Sequence, residues 1–292
     1  MIIIKLQGGL GNQLFQWAFG LSLANKSNAE LKFDTESYVT DKLRSLEIST
    51  LVDGIAIAKK NEIKKIRLEN NTLNLLKRKI ETLFNPYFKR TIICENTYLY
   101  DVRLDSQNYT SNYFEGYWQN EKYFINNRKQ ILNKINFKIN NSKSYNQYKL
   151  QITETDSTAI AIHVRRGDYI NDRRILEIHG ICSLDYYKTS VRLMNEKYNN
   201  IHFYIFSNDL NWCEKKFSFI KNKTYVKNTE TVFEDLELMS LCKGQIIANS
   251  SLSWWSAWIN QNPNKKVIAP KKWFNKTTIN YSELVPENWL KL

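Results

Sequence analysis

The C-terminal half of the chain alternates short apolar runs with amphipathic helical segments, and this alternation constrains the fold more than any other feature. Segments with helical spacing begin near residues 183, 207, 232 and 249. The apolar runs between them have the length and composition of buried strands: AIAIHV (159–164), IHFYIF (201–206), GQIIA (244–248) and KKVIAP (265–270), which is predicted as the last strand. Strands that alternate with helices predict a parallel, doubly wound sheet, so the fold class is α/β.

The N-terminal segment shows the same order of strand, turn and helix. Ile2–Leu6 is apolar, and QGGLGNQ (7–13) follows it as a glycine-rich turn. A helical pattern begins near Leu14, and LKFD (31–34) is predicted as the next strand. The chain therefore opens with an α/β unit of its own.

Three further segments carry weaker patterns. Residues 55–90 are rich in Lys, Asn, Ile and Leu and are predicted to be helical with a basic face, whereas the aromatic-rich residues 109–124 are predicted to form a loop. Residues 137–158 are polar and have no clear period. Because domain boundaries favour polar, flexible segments, we place the boundary there and predict domains of residues 1–150 and 151–292.

Charge and cysteine usage narrow the class of protein. The net charge of +13, from 42 Lys and Arg against 29 Asp and Glu, favours an anionic partner such as nucleic acid, a nucleotide or a membrane surface. The alternative is a lysine- and asparagine-rich composition without functional meaning. The four cysteines form no CxxC pair, which argues against a zinc site or a disulfide framework and favours a reducing cytoplasm. No signal peptide and no membrane-spanning run is expected.

Four polar or glycine-rich segments follow predicted strands, and this convergence predicts a ligand site. They are QGGLGNQ, HVRRGDY (163–169), FSND (206–209) and ANSSLSWW (248–255). In parallel α/β sheets, ligands bind beyond the carboxyl ends of the strands.

HVRRGDY is the most informative of the four segments. The guanidinium of Arg165 or Arg166 offers a fork of donors that suits a diphosphate. The alternative is that one of the arginines pairs with Asp168 or a helix end and is structural. Ser250, Ser251 and Ser253 could bind phosphate through hydroxyl and backbone N–H groups, or they could simply cap a helix.

The glycine-rich turn QGGLGNQ allows a close approach of a ligand to the backbone. Gly8, Gly9 and Gly11 do not form a GxGxxG fingerprint, because position 14 is leucine. Asn12 and Gln13 could donate hydrogen bonds to a ligand at the helix start, and the alternative is an ordinary tight turn.

Six motifs in this order resemble the α-1,2-fucosyltransferases of glycosyltransferase family 11: GGLGNQLFQ, HVRRGDY, HGICSLDYY, FSND, NSSLSWWSAW and VIAPKKWF. The resemblance runs from residue 2 to about residue 275, and residues 35–110 carry little of it. It implies a GT-B-like fold of two Rossmann-type domains with a cleft between them. The N-terminal domain would be the acceptor side and the C-terminal domain would bind the donor, with the last segment a candidate to pack back on the N-terminal domain.

The resemblance also implies an activity. Family members transfer L-fucose from GDP-β-L-fucose to the 2-hydroxyl of a terminal galactose, with inversion and without a metal or other cofactor. The chain contains no Asp-x-Asp metal–nucleotide motif, in agreement with this expectation. The expected setting is bacterial surface-glycan synthesis such as that of O-antigen. The acceptor would be a galactose-terminated oligosaccharide or lipid-linked glycan, and the enzyme would be cytoplasmic, with peripheral contact to the inner face of the membrane.

Individual roles follow from the matched motifs. The resemblance implies that Arg165 binds the donor phosphate, that His163 lies near the nucleoside and that Asp209 binds guanine. Asn208 stands where an aspartate is common, so which of the two side chains contacts guanine is left open. The donor-binding residues implied are Gly11, Asn12, His163, Arg165, Arg166, Asn208, Asp209, Ser250 and Ser251.

A general base is expected, since the acceptor hydroxyl must lose its proton as it attacks. Asp168 is the first candidate because it lies beside the phosphate-binding arginine, and the alternative is a salt bridge that orients Arg165 or Arg166. His179, Asp172 and Glu177 are further candidates on the acceptor side.

Three other functions compete with this one besides a different nucleotide-sugar glycosyltransferase. A nucleic-acid-binding protein would suit the charge, but no helix-turn-helix, zinc-finger or RNA-recognition signature is present. A nucleotide-dependent oxidoreductase is disfavoured by the incomplete glycine pattern. A non-catalytic sugar-binding protein would leave the Arg165–Arg166 pair unexplained.

Overall fold

The apolar runs of the sequence form two parallel sheets, one in each of the two units into which the chain divides. The computed structural model describes residues 1–69, 72–137 and 142–292. The first unit comprises Met1–Asn136 and Ser282–Leu284, and the second comprises Phe137–Tyr281 and Val285–Leu292. Parallel pairing throughout both sheets confirms the predicted α/β class.

The first unit holds a four-stranded sheet in the order β2-β1-β4-β3. Its strands are β1 (Ile2–Lys5), β2 (Leu31–Asp34), β3 (Ile92–Cys94) and β4 (Asn112–Glu115). Its helices are α1 (Leu10–Ser27), α2 (Ser37–Thr40), α3 (Ile48–Leu51), α4 (Lys60–Ile66), α5 (Thr72–Phe84), α6 (Val102–Asp105) and α7 (Arg128–Lys134).

The glycine-rich turn carries the chain from β1 into α1. Gly8 has φ +78°, a left-handed conformation that a side chain disfavours, and this turn lets α1 fold back on the sheet. On α1, Phe19 stacks on Trp118 with ring centroids 4.2 Å apart, and both side chains are fully buried. Packing between α1 and the sheet thus forms the core of the first unit.

The second unit holds six strands in the order β10-β9-β8-β5-β6-β7. The strands are β5 (Thr158–Val164), β6 (Ile201–Ser207), β7 (Lys223–Tyr225), β8 (Gly244–Ile246), β9 (Lys266–Ala269) and β10 (Leu290–Lys291). The helices are α8 (Lys143–Thr153), α9 (Gly167–Asn171), α10 (Arg173–His179), α11 (Leu184–Lys197), α12 (Leu210–Lys216), α13 (Val232–Leu241) and α14 (Ser251–Ile259).

This strand order places a topological switch point between β5 and β8. From β5 the chain proceeds to β6 and β7 on one side, and then crosses to β8, β9 and β10 on the other. In sheets wound this way, ligands bind outside the carboxyl ends of the strands that flank the switch point. HVRRGDY overlaps the end of β5 and ANSSLSWW follows β8, so the topology brings these two segments to one edge.

The structure differs from the sequence-based division of the chain at residue 150. The first unit ends at residue 136, because residues 143–153 form α8 and this helix packs on α13. Lys149 there forms an ion pair with Glu237 at 3.0 Å. Within α8 only Tyr145 and Ile152 are buried, which explains why the segment shows no apolar period. Residues 138–141 of the predicted boundary segment lie outside the described residues.

Two other predicted elements are corrected, and one is confirmed. Residues 109–124, predicted as a loop, contain the inner strand β4 with its buried Tyr113 and Phe114. Residues 55–90 contain the helices α4 and α5, as predicted, and residues 70 and 71 between them lie outside the described residues. KKVIAP is not the last strand, because the two-residue β10 pairs with β9.

Part of the last segment belongs to the first unit. Glu283 accepts hydrogen bonds from the backbone N–H of Tyr100 (2.8 Å) and from Lys122 Nζ (2.9 Å). Across the described residues, no helix combines the length and the apolar character needed to cross a bilayer.

Candidate functional site

Strand pairing in the second sheet places the arginine pair beside FSND. Val164, the last residue of β5, pairs with Ser207, the last residue of β6. Arg165 and Asn208 therefore leave the sheet side by side at its carboxyl edge. The proximity expected from the two motifs is present.

Asn208 and Asp168 fix the backbone and side chain of the arginine loop. Asn208 Oδ1 accepts hydrogen bonds from the backbone N–H groups of Arg166 (3.0 Å) and Gly167 (3.1 Å). Its Nδ2 donates to Asp168 Oδ1 at 2.9 Å, while Arg165 Nη2 donates to Asp168 Oδ2 at 2.5 Å. Both carboxylate oxygens of Asp168 are thus engaged, and its contacts are those of a group that orients Arg165.

The two arginines have different surroundings. Arg166 lies over the ring of Trp212 at 4.1 Å and 3.5 Å from Asp209 Oδ2, so it is held by packing and charge within the fold. Arg165 lies over the ring of Tyr169 at 5.6 Å and pairs with Asp168. The Nε atoms of both arginines are buried without a hydrogen-bond partner in the described part of the chain. A buried donor without a protein partner is the exception in folded proteins and indicates a place for a ligand oxygen. Both arginines therefore offer a donor to an anion, and the assignment of the phosphate to Arg165 stays a prediction.

Asp209 has a structural task. It caps α12 by accepting a hydrogen bond from the backbone N–H of Trp212 at 3.1 Å, and its own N–H donates to Ser207 Oγ at 2.9 Å. The capping bond and the proximity to Arg166 use the carboxylate for the fold. The structure therefore gives Asp209 a capping role, in addition to any contact with a base.

His163 is buried at the end of β5. Burial, and then the nearby charge of Arg165, lower the pKa of its imidazole to about 3, so the ring is neutral at physiological pH. Its Nδ1 has no hydrogen-bond partner among the described residues. A neutral, buried ring nitrogen next to Arg165 can take part in binding a polar ligand, and a place for His163 near the nucleoside stays a prediction.

Ser250 occupies the N-cap position of α14 but makes no side-chain capping bond to the described part of the chain. Ser253 instead donates to the carbonyl oxygen of Ser250 at 3.2 Å, and is structural. Asn249 also serves the fold, because its Nδ2 donates to the carbonyls of His179 (2.9 Å) and Trp273 (3.2 Å). Ordinary N-capping therefore does not account for Ser250, and Ser250 and Ser251 stay candidates for phosphate binding.

The three acceptor-side candidates separate clearly. Asp172 caps α10 and pairs with Arg174 at 3.3 Å, and these contacts lower the pKa of its carboxyl group. Glu177 pairs with Arg173 at 2.9 Å on the exposed surface. Of the three, only His179 contacts the arginine cluster, by which we mean Arg165, Asp168, Tyr169 and Asn208. Its ring stacks on Tyr169 with centroids 5.1 Å apart, and burial lowers the pKa of its imidazole.

Asn12 and Gly11 lie in the first unit, in the first turn of α1. Asn12 Oδ1 accepts a hydrogen bond from Gln119 Nε2 at 2.8 Å, and Gly11 is buried. Gln13 is fully buried and structural, since its Nε2 donates to the carbonyls of Gly8 and Ser45, each at 2.9 Å. Donor binding by Asn12 and Gly11 stays a prediction.

Sequence reasoning missed two carboxyl groups whose pKa is raised to about 6 and about 7. Asp235 lies in the first turn of α13, which follows β7 and so begins near the carboxyl edge of the second sheet. Burial raises its pKa to about 6, and its Oδ1 has no hydrogen-bond partner in the ranges that the structure describes. An acidic residue directly after the Thr231–Glu234 capping box was the available signal, because the box already satisfies the helix start.

Glu95 is the second missed carboxyl group, directly after β3 in the first unit. It accepts hydrogen bonds from the backbone N–H groups of Tyr117 (2.6 Å) and Trp118 (3.0 Å), which join the ends of β3 and β4. Burial raises its pKa to about 7. Nothing in the local sequence distinguished Glu95 from an ordinary exposed glutamate.

Comparison with known proteins decides the family. The model of glycosyl transferase family 11 matches residues 1–292, the whole chain. The chain belongs to glycosyl transferase family 11. The resemblance carried by the six motifs is confirmed, and the protein is a glycosyltransferase.

Two curated proteins match the chain over nearly their full length. An alpha-1,2-colitosyltransferase of Escherichia coli is 32% identical over 302 residues, which cover 100% of this chain and 99% of the relative. The O-antigen biosynthesis glycosyltransferase WbnK of Escherichia coli is 30% identical over 304 residues, covering 98% of this chain and 99% of the relative.

Solved structures of fucosyltransferases share the fold. Fucosyltransferase NodZ from Bradyrhizobium matches with a TM-score of 0.50 at 12% identity, covering 88% of this chain and 92% of NodZ. POFUT1 in complex with GDP matches with a TM-score of 0.52 at 11% identity, covering 92% and 97%. The fold is therefore GT-B-like, as the resemblance implied.

No three His, Cys, Asp or Glu side chains cluster as metal ligands within residues 1–69, 72–137 and 142–292. Metal-independent transfer stays a prediction that an assay must decide.

Proposed function

We propose that this glycosyltransferase is an inverting, metal-independent α-1,2-fucosyltransferase that uses GDP-β-L-fucose and the 2-hydroxyl of a terminal galactose. The α-1,2 linkage in the name of the colitosyltransferase relative supports the linkage. The observation that carries the proposal is Arg165 at the switch point, held by Asp168 at 2.5 Å and retaining a buried Nε without a protein partner. The family makes a nucleotide sugar the natural anionic ligand for this arginine.

The chemistry of transfer explains why such an arginine is needed. As the bond between fucose C1 and the phosphate oxygen breaks, negative charge grows on the β-phosphate and the sugar becomes oxocarbenium-like. Arg165 would stabilise that charge, together with backbone N–H groups at the start of α14 and the hydroxyls of Ser250 and Ser251. Arg166 would stabilise the phosphate charge mainly through its electrostatic field, because Trp212 and Asp209 hold its side chain in place. Asn12 and Gly11 are proposed to contact the donor as well.

We propose a revised assignment for guanine. Guanine presents N–H donors, and a carboxylate that keeps one oxygen without a protein partner suits them. Asp235 meets this requirement, since Thr229 hydrogen-bonds to its carboxylate while the buried Oδ1 is unpaired among the described residues, whereas Asp209 caps α12. Asn208 is committed to the arginine loop through both atoms of its amide group. His163 would line the nucleoside pocket as a neutral ring.

The contacts in the arginine cluster also favour one assignment of the general base. Asp168 accepts from Arg165 and Asn208 at the same time, which suits a positioning residue. His179 stacks on Tyr169, beside Arg165, and its lowered pKa keeps the imidazole neutral and able to accept a proton. We propose that His179 takes the proton of the acceptor hydroxyl and that Asp168 orients Arg165.

A colitosyl donor is the second candidate, because one relative of similar overall length is an alpha-1,2-colitosyltransferase. Colitose is fucose without its 3-hydroxyl, so the two donors differ by one polar group. A site that hydrogen-bonds this hydroxyl rejects the deoxy analogue by roughly 10⁴-fold or more, whereas an apolar pocket discriminates by only about 10²-fold. The direction of the preference therefore identifies the donor.

The experiment is a side-by-side comparison of kcat/KM for GDP-fucose and GDP-colitose, with one galactose-terminated acceptor and EDTA present. A higher kcat/KM for GDP-fucose is the expected result. A preference for GDP-colitose would replace the fucosyl proposal with the second candidate, and no transfer from either donor would contradict both.

The proposed setting is the assembly of a bacterial surface glycan, with a lipid-linked, galactose-terminated acceptor in the cytoplasm. The name of WbnK, an O-antigen biosynthesis glycosyltransferase, supports this setting. Incorporation of labelled fucose into the lipid-linked fraction of a strain carrying the gene, absent from a strain with Arg165→Ala, would test it.

A further inference from the structure

Helix α5 presents its apolar side outward. Five apolar residues recur at helical spacing on one face, and none of the helix is buried. Their exposed fractions are large: Leu73 74%, Leu76 54%, Ile80 47%, Leu83 78% and Phe84 78%. We call these five residues the outer face of α5. Contiguous exposed apolar surface of this kind marks an interaction site in a folded protein.

The opposite, polar side of α5 attaches the helix to the first unit. Glu81 accepts hydrogen bonds from Thr91 Oγ1 (2.8 Å) and Thr91 N (3.2 Å), just before β3. Arg90 Nη2 and Nε donate to the carbonyls of Thr82 and Asn85, each at 2.9 Å. The helix is therefore oriented inversely to an ordinary surface helix, which buries its apolar stripe in the core.

Charge along the helix identifies the kind of partner. At about 100° per residue, the exposed Lys77 and Lys79 lie on the two borders of the outer face. The single acid of the helix, Glu81, is bonded on the inner side. An apolar stripe bordered by lysines is the pattern of helices that lie in the headgroup region of an anionic bilayer, with the lysines near lipid phosphates.

A second copy of the chain fits this surface less well. The helix has 13 residues and is about 20 Å long, so its face is small beside the ~1,000 Å² that a stable interface buries. A two-fold contact would also bring the lysines of the two copies together without an exposed acid on the helix to offset them. Both arguments favour a lipid surface.

We propose that the outer face of α5 docks this protein on an anionic phospholipid surface. Leu73, Leu76, Ile80, Leu83 and Phe84 enter the interface, while Lys77 and Lys79 contact the headgroups. Docking requires no substrate, so it does not depend on the proposed donor or acceptor. If the acceptor is lipid-linked, docking places the enzyme at the surface where that acceptor lies.

The test is co-sedimentation of the full chain with vesicles of phosphatidylcholine alone or mixed with phosphatidylglycerol. We expect stronger binding to the mixed vesicles, weakened by salt. The double substitution Leu76→Asp, Ile80→Asp should lower the partition coefficient between vesicles and water at least about tenfold. Each apolar side chain that enters the bilayer raises this coefficient by a comparable factor. The matched control is Leu75→Asp on the same helix, whose side chain is 45% exposed but off the outer face, and it should bind within about twofold of wild type.

The lysines supply an independent readout. Lys77→Gln with Lys79→Gln should lower binding to the mixed vesicles by about fivefold per lysine, and should leave binding to phosphatidylcholine unchanged. All variants should keep the wild-type melting temperature, because the exchanged side chains lie on the surface. Absent vesicle binding by the wild type, or full binding by the Leu76→Asp, Ile80→Asp variant, would overturn the proposal. A lipid-free dimer that this variant dissociates would instead assign the face to a second copy.

Discussion

Replacing Arg165 with alanine should abolish most of the activity and leave the fold intact. The guanidinium is fixed before substrate binds, by Asp168 at 2.5 Å and by the ring of Tyr169 at 5.6 Å. A preorganised donor aimed at growing negative charge contributes roughly 3–4 kcal/mol to the transition state, so kcat should fall by about 10²- to 10³-fold. Asp168 keeps its bond to Asn208 at 2.9 Å and is 30% exposed, so it is not left as a buried, unpaired charge.

The assay is GDP release at saturating GDP-fucose and acceptor, accompanied by thermal unfolding of each variant. Arg174→Ala is the matched control, because Arg174 is 88% exposed and pairs only at the surface with Asp172. It should retain nearly wild-type kcat, since exposed ion pairs contribute little. A kcat for Arg165→Ala within about threefold of wild type, in a protein with an unchanged melting temperature, would refute the assignment of Arg165 to the phosphate.

Three further predictions concern carboxyl and imidazole groups. Asp168→Asn should lower kcat about tenfold or more, because the amide orients Arg165 less firmly than the carboxylate does. The loss of GDP affinity, measured by calorimetry, should be smaller. Equal losses of kcat and of GDP affinity would indicate a role of Asp168 in donor binding. The pKa of His179 is lowered, so the kcat/KM of the wild type should fall as pH drops through a value below 6.5. His179→Gln should remove this acidic limb of the pH profile and lower the rate by roughly 10²- to 10⁴-fold. A His179→Gln variant that keeps the acidic limb would exclude His179 as the base. The pKa of Glu95 is raised from 4.5 to about 7, so the folded protein binds the proton more tightly and the free energy of unfolding should decline by roughly 3 kcal/mol as pH rises across that interval. Urea unfolding of Glu95→Gln should show no such decline, and an unchanged pH dependence would contradict the buried position of Glu95.

Much of the second unit was predictable because its strands are buried and apolar. The runs at 159–164 and 201–206 match β5 and β6 to within one residue, and the helical segment predicted to begin near residue 183 is α11, which Ser183 caps. The weaker segments failed for identifiable reasons. The short β3 and β10 carry too few apolar residues for a period, and β4 was hidden by the aromatic residues around it.

The site was predictable as a place, and less so as a set of roles. Parallel strands meet at one edge, so the motifs after β5, β6 and β8 had to converge there. Side-chain partners are not encoded in motif order, which is why the engagement of both Asp168 oxygens emerged only from the structure. Asp235 was missed because its burial depends on tertiary packing. The orientation of α5 also depends on tertiary packing, because its sequence indicates an amphipathic helix but not which side of the helix faces outward.

The most direct test of the central claim is to incubate the purified protein with GDP-fucose, EDTA and a galactose-terminated disaccharide, and to determine the product linkage by NMR. We predict acceptor-dependent release of GDP and a fucose joined by an α linkage to O2 of the galactose. Transfer only after a divalent metal is added, or a product with a β linkage or a linkage to another hydroxyl, would contradict it.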